Sequence, residues 1–97
     1  LIVTVFALLR RRTEAFDEEA MAKLLEPEAE EARRLYADGH VKAIHSRQDV
    51  PGAVIQLECA SLDEAKQILQ RLPMLANGML EATYVPVSPY RGFLPRG

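Results

Sequence analysis

The chain opens on "LIVTVFALL", an apolar run in which Thr4 is the one polar residue. β-Branched and aromatic types fill it, and its unbroken hydrophobicity predicts a first strand covered on both faces. From Asp17 the period changes. Met21, Leu24, Leu25, Ala32, Leu35 and Tyr36 recur three and four apart among Glu, Lys and Arg, which predicts an amphipathic helix. Asp17 is its expected N-cap, because a side-chain oxygen satisfies free N–H groups at a helix start. Gly39 is its expected stop, because glycine accepts the left-handed conformation that closes helices. Pro27 lacks an N–H and clashes with the preceding turn, so it is expected to kink this helix or divide it.

Residues 41–48 and 53–59 read as two strands joined by "VPGA". Pro51 presets its own φ there and Gly52 supplies the positive φ of a type II turn. "SLDEAKQILQRL" opens with a capping box between Ser61 and Glu64 and carries Leu62, Ala65, Ile68, Leu69 and Leu72 on one face, predicting a second helix. "PMLANG" turns the chain, and "MLEATYVPV" is a last strand in which Pro86 is tolerable near an edge or an end. The order is β-α-β-β-α-β. It predicts an α+β, ferredoxin-like domain with both helices on one face of an antiparallel sheet. Residues 1–97 form a single domain in this reading, with a core over 1–87 and a C-terminal arm over 88–97. The other face of such a sheet is either polar and wet or covered by another subunit.

Composition narrows the function. With 97 residues the chain has the size of one domain, 48% hydrophobic and 27% charged, the balance of a globular protein. Twelve Lys+Arg against fourteen Asp+Glu leave a formal charge of −2, which offers no general attraction to nucleic acid or to an anionic bilayer. The apolar opening run is too short to span a membrane, and its positive charges, Arg10 to Arg12, follow it rather than precede it as in a signal peptide. Cys59 is the single cysteine, so no intrachain disulfide and no structural zinc spacing is present, and a reducing cytoplasm is the simplest home. Phosphate-loop, dinucleotide and nucleophile-elbow motifs are absent. "GAVIQLEC" also lacks the aromatic residues with which RNA-binding domains of this topology stack bases.

Candidate chemistry concentrates in "GHVKAIHSRQDVPGAVIQLEC". With "VPGA" at the four turn positions, Arg47 falls opposite Gln56 and His45 opposite Glu58. Parity then sends Ile44, Ser46, Ile55, Leu57 and Cys59 to the helix side, and Ala43, His45, Arg47, Val54, Gln56 and Glu58 to the other. An imidazole beside a carboxylate, with a guanidinium and an amide next along, suits moving a proton on a small organic acid. His45 would shuttle the proton, Glu58 orient it, and Arg47 with Gln56 bind the substrate. Opposite charges across a strand pair are equally an ordinary stabilising device on a solvated face.

His40 differs from His45 by an odd number of positions, so the two do not share a face and do not chelate one metal; His40 reads as a helix-end histidine. Arg10, Arg11 and Arg12 meet Glu14, Asp17, Glu18 and Glu19, either as a solvated charge cluster or as an anion-binding mouth. Cys59 is expected in the core as a small hydrophobe. In "SPYRGFLPRG" the prolines discourage regular structure, while Tyr90, Phe93 and Leu94 gain from cover, by a neighbouring subunit or by their own domain.

At "SLDEAKQILQRLPMLANGMLEATYVPV" the chain resembles the muconolactone isomerases: a capped helix ending in a Leu-Pro pair, a short apolar turn, then a strand finishing hydrophobic-Pro-hydrophobic. The helix–Gly39–strand junction fits as well. The resemblance implies a dimeric α+β barrel, in which two sheets pair between subunits as a homodimer or higher homo-oligomer, and a site that needs no metal or organic cofactor. That superfamily includes isomerases, dehalogenating lyases, cofactor-free oxygenases and proteins of no known activity. Together with the residues above it implies a cofactor-independent isomerase or lyase moving a proton on a small carboxylated or lactone-like molecule. The alternative is a non-catalytic dimeric module of the same fold that binds a small molecule or supports assembly.

Overall fold

The computed structural model describes residues 2–93 and Pro95; Leu1, Leu94, Arg96 and Gly97, which belong to the expected first strand and arm, lie outside the described residues. Strand β1 spans Val3–Arg11, helix α1 Glu18–Ala37, β2 Val41–Ser46, β3 Gly52–Cys59, α2 Leu62–Leu69, a helical turn α3 Pro73–Ala76, and β4 Leu80–Val87. The four strands form one antiparallel sheet in the order β2-β3-β1-β4, so the fold is the expected α+β ferredoxin-like arrangement. No helix among the described residues is long and apolar enough to cross a membrane.

The helix ends follow the chemistry expected of them. Asp17 accepts the Ala20 N–H at 2.8 Å and Ser61 Oγ accepts the Glu64 N–H at 3.1 Å. Glu64 reaches back to the N–H of Ala60, one residue before the cap. At the end of α1, Gly39 takes φ +85°. Its N–H bonds the Tyr36 carbonyl while the His40 N–H bonds that of Leu35, the paired closure that a left-handed residue permits.

Two details of the helices go beyond the expectations. Of the two outcomes expected at Pro27, division does not occur, and α1 runs unbroken from Glu18 to Ala37. The carbonyl that Pro27 leaves without a donor is that of Lys23, and both residues are exposed, where water can serve it. "PMLANG" contains a helical turn, because Pro73 stands at its first position, where a missing N–H costs nothing.

The core lies between the sheet and the helices. Val5, Ala7 and Leu9 of β1 and Ile55, Leu57 and Cys59 of β3 meet Leu35, Ala65, Ile68, Leu69 and Leu72, all buried. Cys59 is therefore in the core as expected, and burial pushes its thiol up from the ordinary value. Met21, Met74 and Met79 form a smaller cluster beside it with Phe16. The apolar stripe of α1 is not fully covered: Leu25 stays 44% exposed and Tyr36 62% exposed.

The face of β1 away from the helices is left partly open by the described residues. Thr4, Phe6 and Leu8 are half-buried there. Phe6 pairs with Val85 and Leu8 with Val54, and Val85 is exposed. Past Val87 the arm makes a 3₁₀ turn at Arg91–Phe93. Tyr90 and Phe93 meet edge-on at 5.1 Å, and both remain exposed.

Candidate functional site

The β2–β3 register differs from the expected one and separates the residues it was to unite. Ile44 pairs with Ile55, His45 with Val54, Ser46 with Ala53, and an irregularity falls between Val41 and Ala43. His45 was expected opposite Glu58, but Glu58 lies four residues further along β3, about 13 Å at ordinary strand rise. The displacement is an even number of positions, so parity survives it. Ile55, Leu57 and Cys59 are buried on the helix side, while Gln56 and Glu58 are half-buried and His45 exposed on the other.

Local chemistry explains the shift. The Arg47 N–H donates to the Gly52 carbonyl at 3.0 Å, closing a loop that contains Gln48 to Pro51. Inside it the Arg47 guanidinium grips the Asp49 carboxylate with two hydrogen bonds of 2.9 and 2.6 Å, and Asp49 also accepts the Val50 N–H. Pro51 is tied to β1 through the Arg11 N–H at 2.8 Å. Gly52 is not at the turn centre. It starts β3, where a Cβ would collide with the Leu9 carbonyl oxygen, so glycine is required by close approach of two strands rather than by a turn.

The expected constellation is therefore dispersed. Arg47 is engaged by Asp49, whose carboxyl that bond holds down to about 2. Glu58 has Lys42 at 3.9 Å. Gln56 stands between Phe6 and Ala43. Among the described residues no group of three His, Cys, Asp or Glu stands close enough to hold a metal ion.

A different site lies on the helix side. A cavity of about 260 Å³ opens between α1 and the end of the sheet formed by β2, β3 and β1. Small residues make it: Ala29 and Ala32 on α1 face Gly52 and Ala53 on β3, and Ile44, Ile55 and Leu72 complete apolar walls. A shallower depression next to it shares Ala32 and Ile44 and adds Tyr36.

Two charged residues line this cavity, Glu28 and Arg11. Glu28 is half-buried and accepts the Met74 N–H at 2.9 Å. Burial pushes its carboxyl above the ordinary carboxylate value, against the smaller opposing pulls of the Met74 N–H and the Arg11 charge. Arg11 reaches the cavity because it shares the inward parity of Val5, Ala7 and Leu9. The arginine triplet is thus split by function. Arg10 is held by Glu14 and Glu81. Arg12 bonds the Gly78 carbonyl and lies over the Phe16 ring. Arg11 makes no side-chain hydrogen bond or ion pair among the described residues, which singles it out within the cluster as the anion-binding candidate.

Glu28 carries a signal in the sequence that went unused. It lies seven residues after Met21, three after Leu25, four before Ala32 and seven before Leu35, inside the apolar stripe of α1. A carboxylate at a core position is costly unless partnered. Such a position marks a group to be examined for function.

Residues 4–89 match the model of the YCII-related domain. A comparison with curated proteins finds no match.

Proposed function

The chain belongs to the YCII-related domain family, within the dimeric α+β barrel superfamily, and from that premise we propose that it is a cofactor-independent isomerase or lyase. Its substrate is a small carboxylated or lactone-like molecule, as for the muconolactone isomerases that it resembles, and its site is the helix-side cavity. The observation that carries this reading is the half-buried Glu28 carboxyl facing a cavity that it shares with Arg11, whose guanidinium has no ion-pair partner among the described residues. The roles first assigned to His45 and Glu58 presupposed a pairing that the register does not make, so proton transfer falls to Glu28 and anion binding to Arg11.

The chemistry follows from the two groups. Ionised Glu28 takes a proton from a carbon next to the substrate's carbonyl, and the electrons of that C–H bond enter the conjugated system as an enolate. Arg11 stabilises the growing oxygen charge. Returning the proton to a carbon further along the system completes an isomerisation. Expulsion of a leaving group by the same electrons completes an elimination. A carboxyl whose proton affinity is raised by burial is suited both to taking the proton and to returning it.

The open sheet face supports a homodimer. Phe6, Leu8, Val54 and Val85 make an apolar centre with polar residues around it, and a second copy placed sheet to sheet would cover them. The exposed Tyr90 and Phe93 of the arm would gain cover from the same assembly.

The test is incubation with muconolactone and a panel of small unsaturated lactones and carboxylates in deuterated water, followed by proton NMR. Wild type is expected to exchange or isomerise at least one, and Glu28→Gln to lose about 10²- to 10⁴-fold in rate. A second reading, a non-catalytic binding module, is favoured by the Glu28–Met74 bond, since a carboxyl holding a helical turn needs no substrate to account for it. Ligand binding without any exchange would establish that reading instead.

A further inference from the structure

The cavity holds one cation and one carboxyl. Among the described residues the other elements around it bring no further charge: β2 contributes Ser46 and Ile44, β3 contributes Gly52, Ala53 and Ile55, and the chain before β4 contributes Leu72 and Met74. At Glu28 itself the partners are the Met74 N–H from α3 and the Arg11 charge from β1. The neighbouring arginines do not compensate, since Arg10 and Arg12 are held outside by Glu14, Glu81 and Gly78.

A carboxylate ligand on Arg11 changes this balance twice. It cancels the positive potential that favours ionised Glu28, and it adds a second negative charge to the same apolar-walled space. Two carboxylates confined in that way hold a proton between them. Resting on the reading of the cavity given above, we infer that the site binds a small organic carboxylate together with a proton, the ligand's charge seated on Arg11 and Glu28 present as a neutral acid donating a hydrogen bond. The volume of about 260 Å³ has room for roughly nine non-hydrogen atoms at the density of liquid water, and the apolar walls favour an unsaturated or aromatic body.

An anionic substrate waits for loss of that proton before Glu28 can act as a base. Its kcat therefore rises with pH through a higher midpoint than its kcat/KM, whereas a neutral lactone shows no such gap.

The experiment is calorimetric titration of the full chain with millimolar benzoate, which fits the size limit. Each titration is repeated in two buffers of different ionisation enthalpy, from about pH 5 to about pH 8. Wild type is expected to take up as much as one proton per bound benzoate, with the uptake fading at the high-pH end. Glu28→Gln, which keeps an acceptor for the Met74 N–H, is expected to bind benzoate with no proton uptake. Arg11→Met is expected to weaken benzoate at least about tenfold, the size of one lost charged contact. Benzoate binding with no dependence on buffer overturns the inference and leaves the cavity as a binding site. Failure of benzoate to bind, while a neutral lactone is turned over, overturns the inference but not the proposed function. Neither binding nor turnover of any compound overturns both.

Discussion

The Glu28 carboxylate accepts the Met74 N–H at 2.9 Å, so one side chain joins the middle of α1 to the helical turn before β4. The bond spans 46 residues of sequence and fixes where the carboxyl stands relative to the cavity wall. It also separates two properties of Glu28. The acceptor oxygen holds structure, while the second oxygen takes no hydrogen bond among the described residues.

Substitution should therefore split those properties. Glu28→Gln keeps the acceptor and Glu28→Leu removes it, leaving the Met74 N–H without a partner at a cost of about 1 kcal/mol. The pH dependence has a definite sign. The folded-state affinity of Glu28 for its proton is raised by burial, so the stability tied to it is complete below the unfolded value and is lost as pH rises through the folded one. Thermal melts of wild type and Glu28→Gln should show the variant gaining on wild type as pH rises from about 4 towards neutrality.

Gly52 and Gly78 should respond very differently to alanine. A Cβ on Gly52 meets the Leu9 backbone, whereas one on Gly78 meets open space and is opposed only by φ +72°. Gly78→Ala should cost about 1 kcal/mol. Gly52→Ala requires two strands to part and should cost more, about 2 to 3 kcal/mol. Urea midpoints of the two variants, compared at equal m-value, measure the difference.

His45 and Glu58 should behave as independent residues. At about four residues of strand separation a double-mutant cycle of His45→Ala and Glu58→Gln should be additive within about 0.5 kcal/mol, in chemical denaturation of the single chain. A coupling well beyond that would mean that the β2–β3 register in solution is not the one in which His45 faces Val54.

Element order was readable because period and end chemistry agreed along the chain. The apolar spacing from Met21 to Leu35 has Asp17 and Gly39 at its ends, and Ser61 with Glu64 opens α2. Strand faces were readable for the same reason, since Ile55, Leu57 and Cys59 alternate with Val54, Gln56 and Glu58 whatever the register. The register itself was not. Pro51 and Gly52 carry turn chemistry, but the Arg11 N–H and the Leu9 carbonyl, which decide their place, are some forty residues away in sequence. The cavity was hidden for a related reason. Its charged residues, Arg11 and Glu28, lie at inward positions of a strand and a helix, but only the packing of α1 over the sheet brings them to one cavity.

The open sheet face makes its own prediction. Val85 is exposed beside Phe6, and a sheet-to-sheet homodimer would bury both. Sedimentation should give a dimer for wild type and a monomer for Val85→Lys, with the melting temperature of wild type rising with concentration as mass action requires. A wild-type monomer at high concentration would remove the dimer from the account.

The central claim is that Glu28 titrates in a cavity under the influence of Arg11. Carbon-detected NMR of the glutamate side-chain carboxyls measures it directly, with Glu28 assigned by its loss in Glu28→Gln. The expected result is a midpoint above that of the exposed glutamates, moved higher in Arg11→Met because a favourable positive charge has been taken away. A midpoint at the ordinary glutamate value, unmoved by the loss of Arg11, would contradict it.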